Sequence, residues 1–392
     1  MLNKEIRAQL EQKILPFWMG LTDKEYGGFY GFMDNHLILN RTANKGCILN
    51  SRILWTFSEA ARLLYGEKYA PFANHAYRFM ERFMDPDNGG VYWSVTYDGK
   101  PSDTTKHTYC QAFAIYGLAA YYRLTGKQEA LDRAMNLFRL IESRCRDEGG
   151  YLEALKADFS PESNEKLSEN GVMASRTMNT LLHVVEACAE LYRVYRDSQV
   201  MVAAVEGLNQ FLAQIYNPEK RRMEVFFDND FRPLLDMQSY GHDIEGSWLI
   251  WDAVETFIRP DGREPWRKMC LDLLDSAAER AFTDHGLHYE IVDGEVNTTR
   301  AWWPQAETML GFEFGWRMTG DPAWLKRMRT QWAYIRSHTV DPREGSEWFN
   351  ELREDGTLVE EKPMVDEWKC PYHNGRMCLR LITAELPETQ ED

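Results

Sequence analysis

The feature that most constrains the fold is a short pattern that recurs along the whole chain. Each copy pairs a turn, in most cases rich in glycine, with a short aromatic strand, as in residues 27–32 (GGFYGF). Such segments predict small β-hairpins. The copies lie about 60 residues apart, with one longer interval, and begin at Gly27, Gly89, Gly149, Met223, Gly286 and Ser346. A period longer than most solenoid units, sustained over the whole chain, indicates a closed ring of repeats.

The segments between these copies have room for two helices, and the apolar patterns of the two differ. Residues 109–124 are apolar on nearly every side, which is typical of a helix that is buried all round. The next segment has an apolar stripe over residues 131–141 with charged residues outside it, and predicts an outer helix that covers the inner one. Gly126, at the joint, suits the C-terminus of the inner helix. Segments 179–195 and 200–216 repeat the inner-then-outer order.

Six units of hairpin, inner helix and outer helix predict an all-α fold, the (α/α)6 barrel, with the short β-hairpins at the active-site end. No linker-like tract rich in Ser, Pro or Gly divides the chain, and the charge block that stands out is the acidic stretch near residues 388–392. We therefore predict a single domain over residues 1–392.

Composition and charge narrow the class of protein. The net charge of -16 disfavours binding to nucleic acid or to anionic membranes, and no uninterrupted apolar run is long enough to span a bilayer. Seven cysteines without a C-x-x-C pair indicate reduced thiols, and the amphipathic start is unlike a signal segment. We therefore predict a soluble cytoplasmic protein, with a monomer as the default. The 13 tryptophans suit stacking on sugar rings as well as core packing.

The starts of the inner helices are the places to search for function. In a ring of alternating inner and outer helices, all these starts lie at one end and point inward. His242 and His373 occupy equivalent first turns of the fourth and sixth inner helices, the latter entered through Pro371. Gly241 breaks the chain before the fourth helix, and Glu245 lies on the same side of the first turn as His242. An imidazole held near a carboxylate at a helix start suits proton transfer.

Three further starts supply polar or aromatic candidates. Arg52 enters an otherwise apolar first inner helix and needs a partner, either a hairpin carboxylate in a structural ion pair or a substrate. Tyr109 is the ligand-facing candidate at the second start. Asn179 and His183, at the third start, are four residues apart and so share one helix face. His183 is either a satisfied core residue or a part of the site.

The fifth start combines two tryptophans with a carboxylate. Trp302 and Trp303 precede Pro304, which fits a first helical turn, and Glu307 lies one turn beyond Trp303. This arrangement is typical of a sugar platform with a hydrogen-bonding carboxylate. The alternative is that the tryptophans pack between hairpin and core, and we expect this of at least one of them.

The absent motifs exclude several chemistries. The sequence has no H-E-x-x-H spacing, no G-x-G-x-x-G loop and no G-x-S-x-G elbow, so we expect neither a metal nor a nucleotide cofactor. Two facing histidines suit removal of the proton on carbon 2 of an open-chain aldose and its return to the opposite face. Arg52, Asn179 and His183 could donate to the developing oxyanion.

Other readings stay open at this point. An aldose–ketose isomerase would use the same enediolate but return the proton to carbon 1. A sugar-binding barrel without catalysis would need only the tryptophans. A glycoside hydrolase would need two carboxyl groups across the scissile bond. These last two do not account for the paired histidines.

Three motifs together carry a resemblance to a known family. They are SYGHDIEGSW at residues 239–248, WWPQAE at 302–307 and WKCPYHNGR at 368–376. The chain resembles the N-acylglucosamine 2-epimerase superfamily from residue 27 to residue 376, and most closely its members that act on cellobiose. The resemblance implies an (α/α)6 barrel and a reversible, cofactor-free epimerisation at carbon 2 of the reducing-end glucose of β-1,4-linked disaccharides. Other members act on free monosaccharides, which is the alternative for the substrate.

The resemblance also implies roles for particular residues. His242 and His373 match the two acid/base histidines, and Arg52, Asn179 and His183 match the groups around the carbonyl oxygen and ring opening. The positions that match substrate-contacting residues are Tyr109, Glu245, Glu307, Trp368 and the adjacent pair Trp302 and Trp303.

Overall fold

The computed structural model describes residues 2–164, 171–384 and 386, and shows two concentric rings of helices. The inner ring consists of Cys47–Leu63, Thr108–Thr125, Met178–Val194, Tyr240–Phe257, Trp302–Thr319 and Tyr372–Thr383. Outer helices at Gly66–Met80, Gln128–Arg144, Ser198–Gln210, Glu264–Ala281 and Pro322–Tyr334 each pack on the inner helix that precedes them. The predicted (α/α)6 barrel is confirmed.

The sixth outer position departs from the predicted unit order. It is filled by the N-terminal helix Leu2–Gln9, which is continued by Leu10–Ile14 and Leu15–Gly20, and not by a helix that follows the sixth inner one. Leu2–Gln9 packs against Tyr372–Thr383, and that last helix packs against Cys47–Leu63. The ring is therefore closed by the two ends of the chain. The acidic stretch 388–392 lies outside the described residues, and the single domain over 1–392 stays a prediction.

The short strands tie neighbouring units together at the end where the inner helices begin. Local hairpins are present, for example Glu290–Val292 with Glu295–Asn297. In addition, the strand that enters an inner helix pairs with a strand of the following unit, a pairing that the sequence pattern did not predict. Within the described residues, these pairs are Lys45–Gly46 with Ser94–Val95, Lys106–His107 with Ala154–Leu155, Arg176–Thr177 with Phe226–Phe227, Met237–Ser239 with Glu290–Val292, and Arg300–Ala301 with Glu351–Leu352.

Two findings bear on the composition-based predictions. All seven cysteines are buried and free, as predicted for reduced thiols. None of the helices in the described part of the chain is both long and apolar enough to cross a membrane.

A buried ion pair recurs where a turn meets an entry strand. Lys45 contacts Asp23 at 2.6 Å, and its ammonium also donates to the Gly27 carbonyl at 2.7 Å. Lys106 contacts Asp85 at 2.8 Å in the next unit. Because each aspartate also accepts backbone N–H groups of its own turn, the pair fixes the turn to the strand and so sets where the inner helix begins.

Replacing Lys45 with methionine is expected to lower the free energy of unfolding by about 3 kcal/mol, because it leaves the Asp23 carboxylate buried without its cation. Urea unfolding followed by circular dichroism measures the change. The matched control is Lys100→Met, which removes the exposed pair with Asp98 and should leave the unfolding midpoint unchanged. Equal midpoints for the parent and Lys45→Met would contradict the role of the buried pair.

Candidate active site

The starts of the six inner helices converge on one cavity of about 1130 Å³, counted with its open mouth. All the residues predicted for the site line this cavity except Glu307. They are Arg52, Tyr109, Asn179, His183, His242, Glu245, Trp302, Trp303, Trp368 and His373.

The fourth inner helix begins one turn earlier than its apolar run suggests. It starts at Tyr240, so Gly241 lies inside the first turn, and the prediction that Gly241 precedes the helix is wrong. The glycine has a packing role instead, because a Cβ atom there would lie 2.6 Å from the indole of Trp303. The missing side chain lets Trp303 pack directly against the helix that carries His242.

His242 is held as a neutral base. Its Nδ1 forms a 2.7 Å hydrogen bond with the Ser239 hydroxyl, and its ring centre lies 4.7 Å from the Trp303 ring. Burial, with a smaller contribution from His183, lowers the pKa of His242 to about 3. Glu245 shares the cavity wall, but its carboxylate pairs with Arg376. The expected imidazole–carboxylate partnership between His242 and Glu245 is therefore wrong.

His373 also packs against Trp303, with ring centres 5.5 Å apart. The two histidine rings are thus no further apart than the sum of their distances to one indole, and both line the same cavity. Nδ1 of His373 lies 2.6 Å from Oε1 of Glu307. Burial and the nearby cations, Arg52 first, lower the pKa of His373 well below its ordinary value.

Arg52 is a buried cation whose guanidinium faces the cavity. It donates to the Tyr109 hydroxyl at 2.7 Å and lies over the rings of Phe113 and Tyr372, at 4.1 and 4.7 Å. Among residues 2–164 and 171–384, no carboxylate forms an ion pair with it, so the structural ion pair that the sequence left open is wrong for this part of the chain. Since an uncompensated buried cation is costly, the arrangement favours binding of negative charge that develops on a ligand.

The third start brings two more donors to the same wall. His183 packs edge-on to Tyr109, with ring centres 5.0 Å apart, and its Nδ1 lies 2.8 Å from Glu186. Asn179 precedes it by one turn, and its side-chain oxygen has no hydrogen-bond partner in the described structure. His183 is therefore both a satisfied core residue and a part of the cavity wall.

The tryptophans differ in their surroundings. Trp303 contacts the rings of both His242 and His373. Trp302 has its ring centre 5.4 Å from the Lys369 ammonium and 6.2 Å from the His373 ring. Trp368 is half-buried against Trp93. The expectation that at least one member of the adjacent pair serves packing fits Trp302, although both reach the cavity.

Glu307 lies behind His373 and not on the cavity wall. It is fully buried, accepts from the Trp248 indole N–H at 3.0 Å, and contacts both His373 and Arg376. The prediction that Glu307 contacts the sugar is therefore not supported by its position. Glu307, Glu245 and His373 present atoms close enough to hold a cation. The guanidinium of Arg376 already contacts both carboxylates, at 2.8 and 2.6 Å.

Burial and neighbouring charges shift the pKa values of the carboxyl groups in this cluster. Burial raises the pKa of Glu245 to about 7, with the neighbouring Glu307 adding to the effect. The pKa of Glu307 is also raised by burial. That of Glu186 is lowered to about 2, because Arg376 and His183 outweigh the effect of burial. Glu245 is therefore the carboxyl group of this cluster that can hold a proton near neutral pH.

Sequence reasoning missed three residues that hold the histidines in place. Arg376 and Glu186 each follow a site histidine by three residues, at His373 and His183, and Ser239 precedes His242 by three. That spacing was the available signal, because residues three apart on a helix share a face. Arg376 was part of a quoted motif, but its spacing to the histidine was not used.

The lowered histidine pKa predicts a dependence of stability on pH. The unfolded chain protonates His242 below pH about 6.5, whereas the folded chain does so only near pH 3, so stability falls as the pH falls through that window. At pH 5 the loss from this one residue is about 2 kcal/mol relative to pH 7. Urea unfolding at both pH values should show a smaller loss for His242→Asn than for the parent. The same loss in both proteins would contradict a depressed pKa in the folded state.

The fold and the cavity together define an (α/α)6-barrel protein. Its cavity combines buried histidines with aromatic side chains, an arrangement suited to carbohydrate chemistry. The sequence profile of the family described as N-acylglucosamine 2-epimerase (GlcNAc 2-epimerase) matches residues 27–374. The chain belongs to this family, and is thus a carbohydrate epimerase, an enzyme of the isomerase class.

Individual relatives are similar over nearly their whole length. The chain is 46% identical to cellobiose 2-epimerase of Eubacterium cellulosolvens, over 98% of this chain and 99% of that protein. A solved cellobiose 2-epimerase from Bacillus thermoamylovorans B4167 is 42% identical with a TM-score of 0.94, over 97% and 98% of the two chains. A solved sugar epimerase from a ruminal bacterium is 41% identical with a TM-score of 0.97, over 99% and 100%.

Proposed function

We propose that the protein reversibly epimerises carbon 2 of the reducing-end glucose of β-1,4-linked disaccharides. Cellobiose would become glucosyl-mannose, and lactose would become epilactose. The observation that carries the proposal is the pair of imidazoles with lowered pKa values, His242 and His373, which both pack against Trp303 in a cavity that Arg52 also lines. This arrangement supports a two-base exchange of one carbon-bound proton.

The reaction would proceed on the open-chain aldose. One neutral histidine takes the proton from carbon 2, and the electron pair of that C–H bond forms the C1=C2 double bond, leaving negative charge on the carbonyl oxygen. Arg52, with Asn179 and His183 beside it, would stabilise this charge. As this charge develops, the other histidine takes up a proton from water and delivers it to the opposite face of carbon 2, and the first histidine releases the abstracted proton to water. The two histidines exchange roles in the reverse direction.

The preference for a disaccharide rests on two supports. The similar proteins named cellobiose 2-epimerase extend over the full chain. The cavity also continues beyond the helix starts to polar residues of the strands and loops at its mouth, including Glu290, Asn350, Lys362 and Asp366. These residues could contact a second sugar ring.

The decisive experiment is incubation with cellobiose in deuterated water, followed by NMR of the product. We expect a mannose-type reducing end with one deuterium on carbon 2. A ketose product would establish the isomerase instead, release of free glucose would establish the hydrolase, and absence of label with cellobiose, lactose, mannose and N-acetylglucosamine would overturn the proposal. Turnover of the monosaccharides alone would correct the substrate class.

The proposal also covers the cofactor requirement, the location and the oligomeric state of the enzyme. We expect no cofactor to be required, because the histidines and Arg52 supply the base, the acid and the oxyanion donor. Seven buried free thiols support a reducing, cytoplasmic location. We propose a monomer that binds neither nucleic acid nor membranes, consistent with the net charge of -16. Sedimentation equilibrium would test the monomer.

A further inference from the structure

The guanidinium of Arg376 contacts the carboxylates that hold two of the site histidines. Arg376 is fully buried on the sixth inner helix, one turn after His373. Its Nη1 donates to Glu186 at 2.6 Å, and its Nη2 donates to Glu245 at 2.6 Å and to Glu307 at 2.8 Å. The three carboxylates come from three different inner helices, so this one side chain spans the barrel core beneath the cavity.

Two of these carboxylates each hold a histidine. Glu186 contacts Nδ1 of His183 at 2.8 Å, and Glu307 contacts Nδ1 of His373 at 2.6 Å. An ionised carboxylate can only accept a hydrogen bond, so Nδ1 carries the hydrogen and Nε2 is left with its lone pair. A protonated carboxyl group could donate to Nδ1 instead, which would move the hydrogen to Nε2 and remove the base.

The ionised state of the carboxylates depends on a cation that reaches all of them. Burial alone would favour the neutral acids, because isolated carboxylates are costly to bury. A planar guanidinium can satisfy several carboxylates at once through its fixed fork of donors, whereas an ammonium is a point charge. Arg376 therefore suits this position in a way that lysine does not.

We propose that Arg376 is a positioning residue, which keeps Glu186 and Glu307 ionised and so sets the tautomers of His183 and His373 together. Its role in turnover rests on the proposed epimerase function. The protonation of the two histidines does not depend on that function, because this protonation can be measured without substrate.

The titration of His373 reflects charged and titratable groups from several helices. They are Arg52, His183, Glu186, Glu245, Glu307 and Arg376. Of these groups, Arg376 is a cation that also contacts Glu307, the carboxylate partner of the His373 ring. Removing its charge should therefore let Glu307 take up a proton and move the hydrogen of the neutral His373 ring from Nδ1 to Nε2, whereas replacing it with lysine keeps a charge but loses the fork.

The test compares Arg376→Gln and Arg376→Lys with a control, Arg380→Gln, on the same helix, where the arginine pairs with Asp252. Circular dichroism and thermal unfolding first establish that each variant folds. Ring nitrogen NMR without substrate should show the hydrogen of the neutral His373 ring moved from Nδ1 to Nε2 in Arg376→Gln, and the parent tautomer in Arg380→Gln.

Kinetics with cellobiose then test the link to catalysis. We expect kcat to fall about 100-fold in Arg376→Gln, with KM little changed, because the tautomer with a free Nε2 lone pair is lost. Arg376→Lys, which keeps a charge without the fork, should also lose kcat. Folded Arg376→Gln with the parent tautomers at His183 and His373 would overturn the proposal. If the parent does not turn over sugar, the NMR arm still decides the role of Arg376.

A second measurement covers the case in which Arg376→Gln fails to fold. The histidine titrations are followed in Glu186→Gln, Glu307→Gln and the double variant. If Arg376 joins the two carboxylates, Glu186→Gln also shifts the titration of His373, and the effects of the two substitutions are not additive. Independent, additive shifts would overturn the proposal.

Discussion

Replacing His373 with asparagine is expected to lower kcat for epimerisation by about 1000-fold or more, while cellobiose still binds. Asparagine fills a similar volume and can accept from its surroundings, but it cannot take or return a proton at carbon 2. General acid–base groups contribute factors of about 100 to 10,000, and this reaction would need two of them. Product formation by NMR and binding by calorimetry separate the two effects.

The same variant should reveal which face each histidine serves. In His373→Asn, where His242 is intact, the carbon 2 hydrogen of one epimer should still exchange with deuterated water, while carbon 2 keeps its configuration. In His242→Asn, only the carbon 2 hydrogen of the other epimer should exchange. His338→Asn, at an exposed position far along the chain from the helix starts, serves as the control and should behave as the parent. Exchange of both epimers by His373→Asn would contradict the two-base arrangement.

Replacing Arg52 with methionine is expected to reduce kcat by about 100- to 1000-fold, which is the range for loss of one oxyanion donor. The effect on KM should be smaller, because the negative charge that Arg52 would stabilise develops only as the proton leaves. Methionine retains length and apolar contact with the aromatic rings that surround the guanidinium. Steady-state kinetics measures the first effect, and urea unfolding should show that stability is retained or increased, because a buried cation without a carboxylate partner has been removed.

Arg62→Met is the matched control for Arg52→Met. Arg62 lies on the same inner helix, and it pairs with Glu59 at 2.6 Å near the surface. Its loss should leave kcat unchanged. Wild-type kcat in Arg52→Met would show that the guanidinium does not stabilise the transition state, and a large loss of stability would show that it serves the fold.

The barrel could be predicted because local signals mark where its helices begin and end. Gly126 adopts the left-handed conformation at the end of the second inner helix, with φ 67°, and Pro371 directly precedes the sixth. The pairing of strands between units could not be predicted in the same way. A two-residue strand has no pattern of its own, and its partner lies in the next unit.

The candidate site likewise contains residues that the sequence could predict and residues that it could not. Residues in the first turns of inner helices, such as His242 and Trp303, could be predicted because the fold alone directs them inward. Glu307 lies a full turn deeper, and depth along a helix decides whether a side chain reaches the cavity or the core behind it. Local spacing could have marked Arg376 and Glu186 as neighbours of the site histidines, but not their contact with each other, because it joins positions 190 residues apart.

The closure of the ring by Leu2–Gln9 against Tyr372–Thr383 has a consequence for biosynthesis. The ribosome releases the first of these helices long before the second exists, so Ile6 has no final packing partner for most of translation. His373 lies on the second helix. The proposed acid–base pair is therefore completed in the same late step that seals the barrel, and a nascent chain arrested before that step would contain His242 without His373.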